Sequence, residues 1–448
     1  MTNVILSFDT EDIINERGAD GILRCARILR EEGVKGCFNI IGLLPDVLLK
    51  WGRKDVFEEL SYHEVDFHSH THSIHPTINE FTDKKEYYGT LEEFKKAELE
   101  GINNVKSAFN RDKLPAMCVP GNCTSYLAHY AYAELGFDFF SGDDIYDKAQ
   151  YRPIYCCNTV SLHYARSLDQ ILFTNDKKEI VRFVKDVARN KHTMIFFHHP
   201  QRSICKSFWD ADNFNKVNTA KEDWVKSEIH DVRDTDRFYE NFRFFVRILK
   251  NDPDFKTVTY EELNKSIDRS ERKITLADIK NIRKQLNESF FPVTAPNSYC
   301  ISDIFLGAKD LLLGKKEHIC GKVYGFLSEP YSAKEPTVIT KDEAIALAQS
   351  INENDFLPSV FYINEKQIGA CDLLWAFLAF LLDGATTYTI EPNIPWQIDL
   401  DEFPTLRDLN YKGSWIHADS LEDNFLSKRL RLQSWTIRLP KDTKRKIF

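Results

Sequence analysis

The sequence predicts an α/β fold organised on a parallel sheet, followed by a second, mainly helical domain. Three observations predict it. The chain has 448 residues, too many for one ordinary domain. Between residues 1 and 267, short apolar runs alternate with amphipathic stretches about seven times, the rhythm of repeated strand–helix units. From residue 268 onward that rhythm gives way to apolar helical stretches with little strand patterning.

The expected strands are NVILSF (3–8), GCFNII (36–41), EVDFH (64–68), AMCVP (116–120), FDFFS (137–141), MIFFHH (194–199) and KTVTY (256–260). Helices are expected between them. DGILRCARILREEG (20–33) carries apolar residues close to one helical stripe and stops at Gly33. The stretches 92–109, 177–190 and 237–251 follow the same pattern. A barrel and a doubly wound sheet both satisfy this alternation. Residues 201–234 break it: they are long, polar and spotted with aromatics, the style of a lid or binding loop.

The charged stretch IDRSERK (267–273) reads as a linker, dividing a domain of residues 1–267 from one of 268–448. Within the second, residues 297–316 and 365–384 look alike. Each has a polar start, an apolar helix with Asp near its beginning, and an aromatic–Glu–Pro exit, a weak internal repeat. This domain is expected to bind glycan, to dimerise the chain or to cap a site. Its tryptophans Trp375, Trp396, Trp415 and Trp435 are expected in the core, with a carbohydrate-lining surface as the alternative. The basic tail from residue 427 reads as a solvated segment.

Composition narrows the function. The 59 Lys and Arg face 68 Asp and Glu, so neither a general nucleic-acid binder nor an anionic-membrane binder is expected. The ten cysteines include no CxxC pair and read as reduced, mostly buried thiols of a cytoplasmic protein. MTNVILSFDT enters a strand directly, without a basic n-region or a long apolar h-region. The apolar run LLWAFLAFLL (373–382) falls short of the about 20 residues that span a bilayer, and reads as a buried helix.

The chemistry starts at FHSHTHSIHP (67–76), which holds His68, His70, His72 and His75. His68 and His72 are four apart and share a face on a helix or on a strand. Either geometry brings two imidazoles to one ion; His70 joins them only on a strand. Imidazole clusters favour Zn, with Co and Ni as alternatives. An acidic partner is offered by SFDTED at the end of the first strand, with Asp9, Glu11 and Asp12. The ends of parallel strands share one rim, where such folds place their sites. A third strand end, MIFFHHPQRS, brings His198 and His199, of which alternation lets one point inward.

This set resembles the polysaccharide deacetylase (NodB-homology) family. FDTED stands where the family has its acidic first motif, and His68-Ser69-His70-Thr71-His72 where it has H-[ST]-x-x-H. CVPGN stands at its R-x-P motif, and FFHHP at its late histidine. The resemblance covers about residues 3–266. It implies a distorted (β/α)7 TIM-like barrel and metal-dependent removal of an acyl group from an amide. Asp9 looks like the catalytic base that takes a proton from the attacking water. His68 and His72 look like metal ligands, with Glu11 as the acidic ligand and Asp12 in reserve. His199 looks like the acid that protonates the leaving nitrogen, with His198 in reserve. His70 and His75 support the ligands. One departure stands out: Cys118 occupies the place of the family's arginine, and a thiol cannot form that ion pair. Arg152 and Arg202 are the candidates to replace it.

The expected function is a metal-dependent N-deacetylase acting on an N-acetylated sugar or saccharide. The alternatives are a small-molecule amidohydrolase that opens a ureide or imide ring, and a barrel that has lost catalysis and binds a partner.

Overall fold

The computed structural model describes residues 1–142, 145, 151–401, 403, 406, 409 and 411–441. They fall into two units: residues 1–153, 159–268 and 409–426 form the first, and 154–158, 269–408 and 427 onward the second.

The first unit is mixed α/β. Its strands are β1 (Thr2–Thr10), β2 (Cys37–Ile40), β3 (Glu64–Phe67), β4 (Ala116–Cys118) and β5 (Phe139–Ser141). After β6 (Ile154–Cys156), which belongs to the second unit, come β7 (Thr159–Leu162), β8 (Arg166–Ser167), β9 (Thr193–His198) and β10 (Phe255–Thr257). Between β1 and β3 lie α1 (Gly18–Glu31), α2 (Leu44–Lys50) and α3 (Lys54–Leu60). Next come α4 (Ile78–Thr82), α5 (Tyr88–Ala108), α6 (Tyr126–Glu134) and α7 (Lys177–Ala188). Then follow α8 (Trp209–Asn213), α9 (Val232–Asn251) and α10 (Tyr260–Ser266).

In this unit the strands run in the order β7-β5-β4-β3-β2-β1-β9-β8, every pair parallel, in a curled half-barrel. Among the described residues β7 and β8 do not pair, so the curl stays open. The long β1 serves three neighbours: Thr2–Val4 pair with β10, Ser7–Thr10 with β2, and Asn3–Phe8 with β9. Its residues are almost all buried, as a parallel strand covered on both faces requires.

Register sets the chemistry of the inner face. Ser7 pairs with Cys37 and Cys37 with Glu64; Asp9 pairs with Asn39 and Asn39 with Asp66. Partners in register point to the same side, so one face of the curl carries polar side chains in rows. The intervening Phe8 turns the other way. It stacks on Phe38 at 4.7 Å and meets Phe242 of α9 edge-on at 6.0 Å.

Some elements differ from expectation. Of the stretch 256–260 only Lys256 and Thr257 are in a strand, β10, before α10 begins at Tyr260. β7 and β8 were not expected: they have four and two residues, too short for alternation to register. The loop at 201–234 contains the short α8, with Trp209 fully buried.

The second unit runs β11 (Lys273–Thr275), α11 (Leu276–Glu288), α12 (Ile301–Leu312) and β12 (Glu317–Ile319). It continues with β13 (Thr337–Thr340), α13 (Lys341–Ser350), β14 (Phe361–Ile363), β15 (Lys366–Ile368), α14 (Ala370–Leu382) and β16 (Thr387–Ile390). Its two halves share one plan: a strand, a capped helix, a reversal, a second helix, and a strand returning antiparallel to the first. Thr275 with Asp278, and Thr340 with Glu343, cap the first helix of each half. Asp303 and Asp372 sit at matching places in the second helices, each accepting the backbone N–H three residues earlier. Phe305 of α12 and Phe377 of α14 meet at 5.7 Å. Short ladders thus accompany the helices, which the expectation of a mainly helical domain left out; strands of three or four residues show no readable period.

The basic tail is not wholly solvated. Leu426–Arg431 is helical and Trp435 is fully buried against Phe305 and Phe326; residues 442–448 lie outside the described ones. All ten cysteines are free, and all but Cys320 are buried. Among the described residues no helix is long and apolar enough to cross a membrane.

Candidate metal centre and active site

β3 ends at Phe67, and the chain then turns sharply. Ser69 and His72 both adopt left-handed backbone angles, φ 64° and 55°. The His72 N–H donates to Ser69 Oγ at 3.0 Å and closes the turn. The rings of His68 and His72 come to 4.9 Å of each other. The pair therefore meets through a turn, and neither the helical nor the strand geometry applies. His70 is thrown to the far side, where its Nδ1 lies 3.0 Å from the Ala97 carbonyl. Gly42 and Gly101 leave room for it there; a Cβ on Gly101 would stand 3.0 Å from His70 Cα. His75 binds the Glu80 carboxylate and the Phe214 carbonyl.

Hydrogen bonds assign the tautomers. His68 Nδ1 lies 2.6 Å from the Cys118 carbonyl, so that nitrogen carries the hydrogen. Ser73 Oγ donates to Asp210 Oδ2 at 2.5 Å and accepts from His72 Nδ1. Both rings thus turn an Nε2 lone pair toward Glu11 Oε2, at 3.4 Å for His68 and 2.8 Å for His72. Glu11 is 2 % exposed, and its Oε2 makes no well-directed hydrogen bond. Three acceptors converge in a buried place without a donor. A cation balances them directly. Without one, the remaining balance is a proton on His72, whose pKa rises above the ordinary value: burial opposes this, but the Glu11 carboxylate outweighs it. Glu11 itself sits well below the carboxylate range, the imidazoles overcoming its burial. One carboxylate and two imidazoles with one side open to a cavity is a donor set that fits a divalent ion of the zinc type in a catalytic rather than a structural site. The bonds to Cys118 and Ser73 hold the rings in orientation for it.

Asp12 is turned away. Its Oδ1 accepts from the N–H groups of Ile14 and Asn15, and its Oδ2 from the Asn15 amide. Burial pushes its pKa up to about 6.

Asp9 stands beside the cluster, buried. Its Oδ1 accepts from Asn39 Nδ2 at 2.6 Å and from Tyr164 Oη at 3.0 Å. Its Oδ2 faces His199 Nε2 at 3.6 Å. Because Phe8 pairs with His198 in the β1–β9 register, His199 follows alongside Asp9. The other nitrogen of His199 donates to Asp169 Oδ2 at 2.7 Å, and its backbone N–H to Asp169 Oδ1. Burial lowers the pKa of this imidazole, yet the carboxylates of Asp169, Glu11 and Asp9 hold it up to about 10. His198 also binds Asp169, at 2.6 Å, but its ring lies 4.9 Å from Phe238, away from the cavity, and burial lowers its pKa.

Cys118 is fully buried, its Sγ 3.5 Å from Tyr260 Oη, and burial pushes its thiol well above the ordinary range. Arg202 turns to the Cys205 carbonyl and the Phe208 ring, and Arg152 is half-buried. The groups on Asp9 Oδ1 are an amide and a phenol.

Asp9, Glu11, His68, His72, Tyr164 and His199 line a cavity of about 400 Å³, together with Phe197, Phe208, Asp210 and Trp415. Sequence reasoning missed Asn39, Tyr164, Asp169 and Asp210. Asn39 left one trace, a lone polar residue inside the apolar run GCFNII. Asp169 and Asp210 lie in stretches with no periodic signal.

No family model matches the chain, and no curated protein does. Among solved structures, 4-alpha-glucanotransferase from Thermococcus litoralis aligns at 11 % identity over 60 % of this chain and 40 % of its own, with a TM-score of 0.42. A CE4 family pseudoenzyme from Bacillus anthracis aligns at 12 % identity over 59 % and 66 %, with a TM-score of 0.34. The family 4 carbohydrate esterase from Streptomyces lividans, in complex with acetate, aligns at 10 % identity over 57 % and 91 %, with a TM-score of 0.32. The chain thus spans less than half the length of the glucanotransferase. At these identities the chemistry must be argued from the chain's own side chains.

Proposed function

We propose that the chain is a metal-dependent hydrolase that removes the acetyl group from an N-acetylated sugar or saccharide, on a distorted (β/α)7 barrel formed by its first domain. The observation that carries this reading is the convergence of Glu11 Oε2 with two imidazole Nε2 lone pairs beside the Asp9–His199 pair.

Glu11, His68 and His72 would hold the ion, with zinc first and cobalt or nickel as alternatives. Such an ion supplies Lewis acidity and an acidified water. The rest belongs to the protein. Asn39 and Tyr164 occupy Asp9 Oδ1, which leaves Oδ2, facing His199 Nε2 across 3.6 Å, to take the proton of the attacking water. The bond to Asp169 presents His199 Nε2 to the cavity in its charged form, ready to protonate the nitrogen as the C–N bond breaks. The products are acetate and a free amine. Phe197, Phe208 and Tyr164 narrow the water around these groups.

The test pairs metal analysis with acetate release. Purified protein is expected to carry about one divalent ion per chain, to lose acetate release on chelation, and to regain it with added Zn. His68→Ala should lose both the ion and the activity. An unchanged rate in that variant excludes the reading. The second reading, ring-opening of a cyclic amide, is favoured by the modest cavity volume; ring-opening assays run beside acetate release separate the two.

A further inference from the structure

The cavity has one wall that comes from far along the chain. Residues 409–426 return to the first unit after the whole of residues 269–408, and Trp415 from this segment lines the cavity. The segment is tightly held. Tyr411 Oη donates to the Thr124 carbonyl at 2.6 Å. His417 is buried, 3.0 Å from Thr77 Oγ1 and 3.3 Å from Asn79 Nδ2. The Ala418 N–H donates to Glu80, and those of Asn424 and Phe425 to Asp83 at 2.9 and 2.7 Å. Gly121, at φ 52°, admits the segment closely: a Cβ there would stand 2.8 Å from Ile416 Cδ1 and 3.3 Å from Trp415 Cζ2.

On this fixed backbone Trp415 remains 47 % exposed. A large ring held rigid and left half uncovered is suited to receive another flat apolar face. The rest of the lining adds to this. Among the described residues it contains no lysine or arginine. Asp210 is 1 % exposed and lines the cavity, and its Oδ1 has no hydrogen-bond partner. Asn122 and Asn215 add amides. An aromatic platform, an unpaired acceptor and two amides match an uncharged polyol with an apolar ring face. Among the described lining residues no lysine or arginine forks toward a phosphate, and the cation at His199 is already paired with Asp169. The volume, about 400 Å³, lies near the lower end of the roughly 300–1,000 Å³ of small-ligand sites.

We infer that Trp415 is the stacking platform of a site for a small, uncharged N-acylated amino sugar, a mono- or disaccharide, with Asp210 Oδ1 accepting from a ring hydroxyl. The inference rests on the deacetylase reading and narrows its substrate.

The test uses the full chain loaded with Zn, with N-acetylglucosamine, its β-1,4 dimer and its β-1,4 hexamer as probes. Acetate release is measured for the unmutated protein, Trp415→Ala and Trp415→Phe. Binding of N-acetylglucosamine to the metal-free proteins is followed by calorimetry. Trp415→Ala is expected to raise KM for the dimer about tenfold, with a much smaller change in kcat, and Trp415→Phe to restore most of it. The monomer or dimer should exceed the hexamer in kcat/KM. A hexamer preferred over both, or an unchanged KM in Trp415→Ala, overturns the inference. If no probe releases acetate, the deacetylase reading fails, and calorimetry decides the site: binding weakened by Trp415→Ala upholds it, and no binding to the unmutated protein overturns it.

Discussion

Asn39 Nδ2 lies 2.6 Å from Asp9 Oδ1, across a strand pair in which the two residues are register partners. Tyr164 Oη reaches the same oxygen at 3.0 Å. Two neutral donors thus orient a carboxylate where Cys118 can supply no charge. They are expected to position Asp9, Asn39 from behind the cavity wall and Tyr164 from within it. Asn39→Ala and Tyr164→Phe should each lower kcat by about 10- to 100-fold, with KM and bound metal nearly unchanged. Loss of the metal in either variant would mean that these residues support the cluster instead.

Asp169 bonds Nδ1 of both His198 and His199. It is the chief group raising the pKa of His199 against burial. Asp169→Asn should therefore let His199 lose its proton at lower pH. The alkaline limb of kcat/KM should move toward acid, because the acid that protonates the leaving nitrogen is depleted sooner. A pH–rate profile with an unmoved alkaline limb would remove His199 from that role.

Gly21 of α1 passes close under the turn that follows His199. A Cβ on Gly21 would stand 2.2 Å from the Pro200 carbonyl oxygen. Backbone cannot yield as a side-chain tip does, so helix and turn must part. Gly21→Ala is expected to destabilise by about 1–3 kcal/mol and to lower kcat by displacing His199. Urea unfolding and steady-state kinetics check both; a variant of unchanged stability would show that the approach is looser than it stands.

His63 is buried as a neutral ring: the Gly36 N–H donates to its Nδ1 at 3.1 Å, and its Nε2 faces the Ala26 carbonyl at 3.0 Å. Burial lowers its pKa from 6.5 to about 4. The folded state thus binds the proton less readily than the unfolded state. Its contribution is complete above pH 6.5 and is lost as pH falls toward 4, by about 3 kcal/mol at most. His63→Gln keeps an acceptor and a donor but does not titrate, so its urea midpoint should fall less over that range. Equal falls in the two proteins would refute the assignment.

Much of the first unit could be read along the chain. β1, β2, β3, β4 and β9 lie where apolar runs sit between turns, and α1, α5, α7 and α9 where the period is helical. The residues drawn to attention by charge and imidazole density, Asp9, Glu11, His68, His72 and His199, stand around one cavity. Less could be read in the second unit. Its strands have three or four residues, below the length at which alternation is visible, and of the plan its two halves share, only the paired apolar helices with Asp303 and Asp372 near their starts were legible in the sequence.

The sequence by itself determined where the longer strands and helices form, because periodicity and capping act between near neighbours. It also determined which residues have the chemistry to bind an ion. Tertiary structure decided which of them face one another. The turn at Ser69 and His72, the register that sets Asn39 beside Asp9, and the choice of Glu11 over Asp12 all follow from packing across the sheet. The arrival of Trp415 at the cavity is the extreme case: hundreds of residues separate it from Asp9, and only long-range hydrogen bonds and close contacts bring the two to one wall.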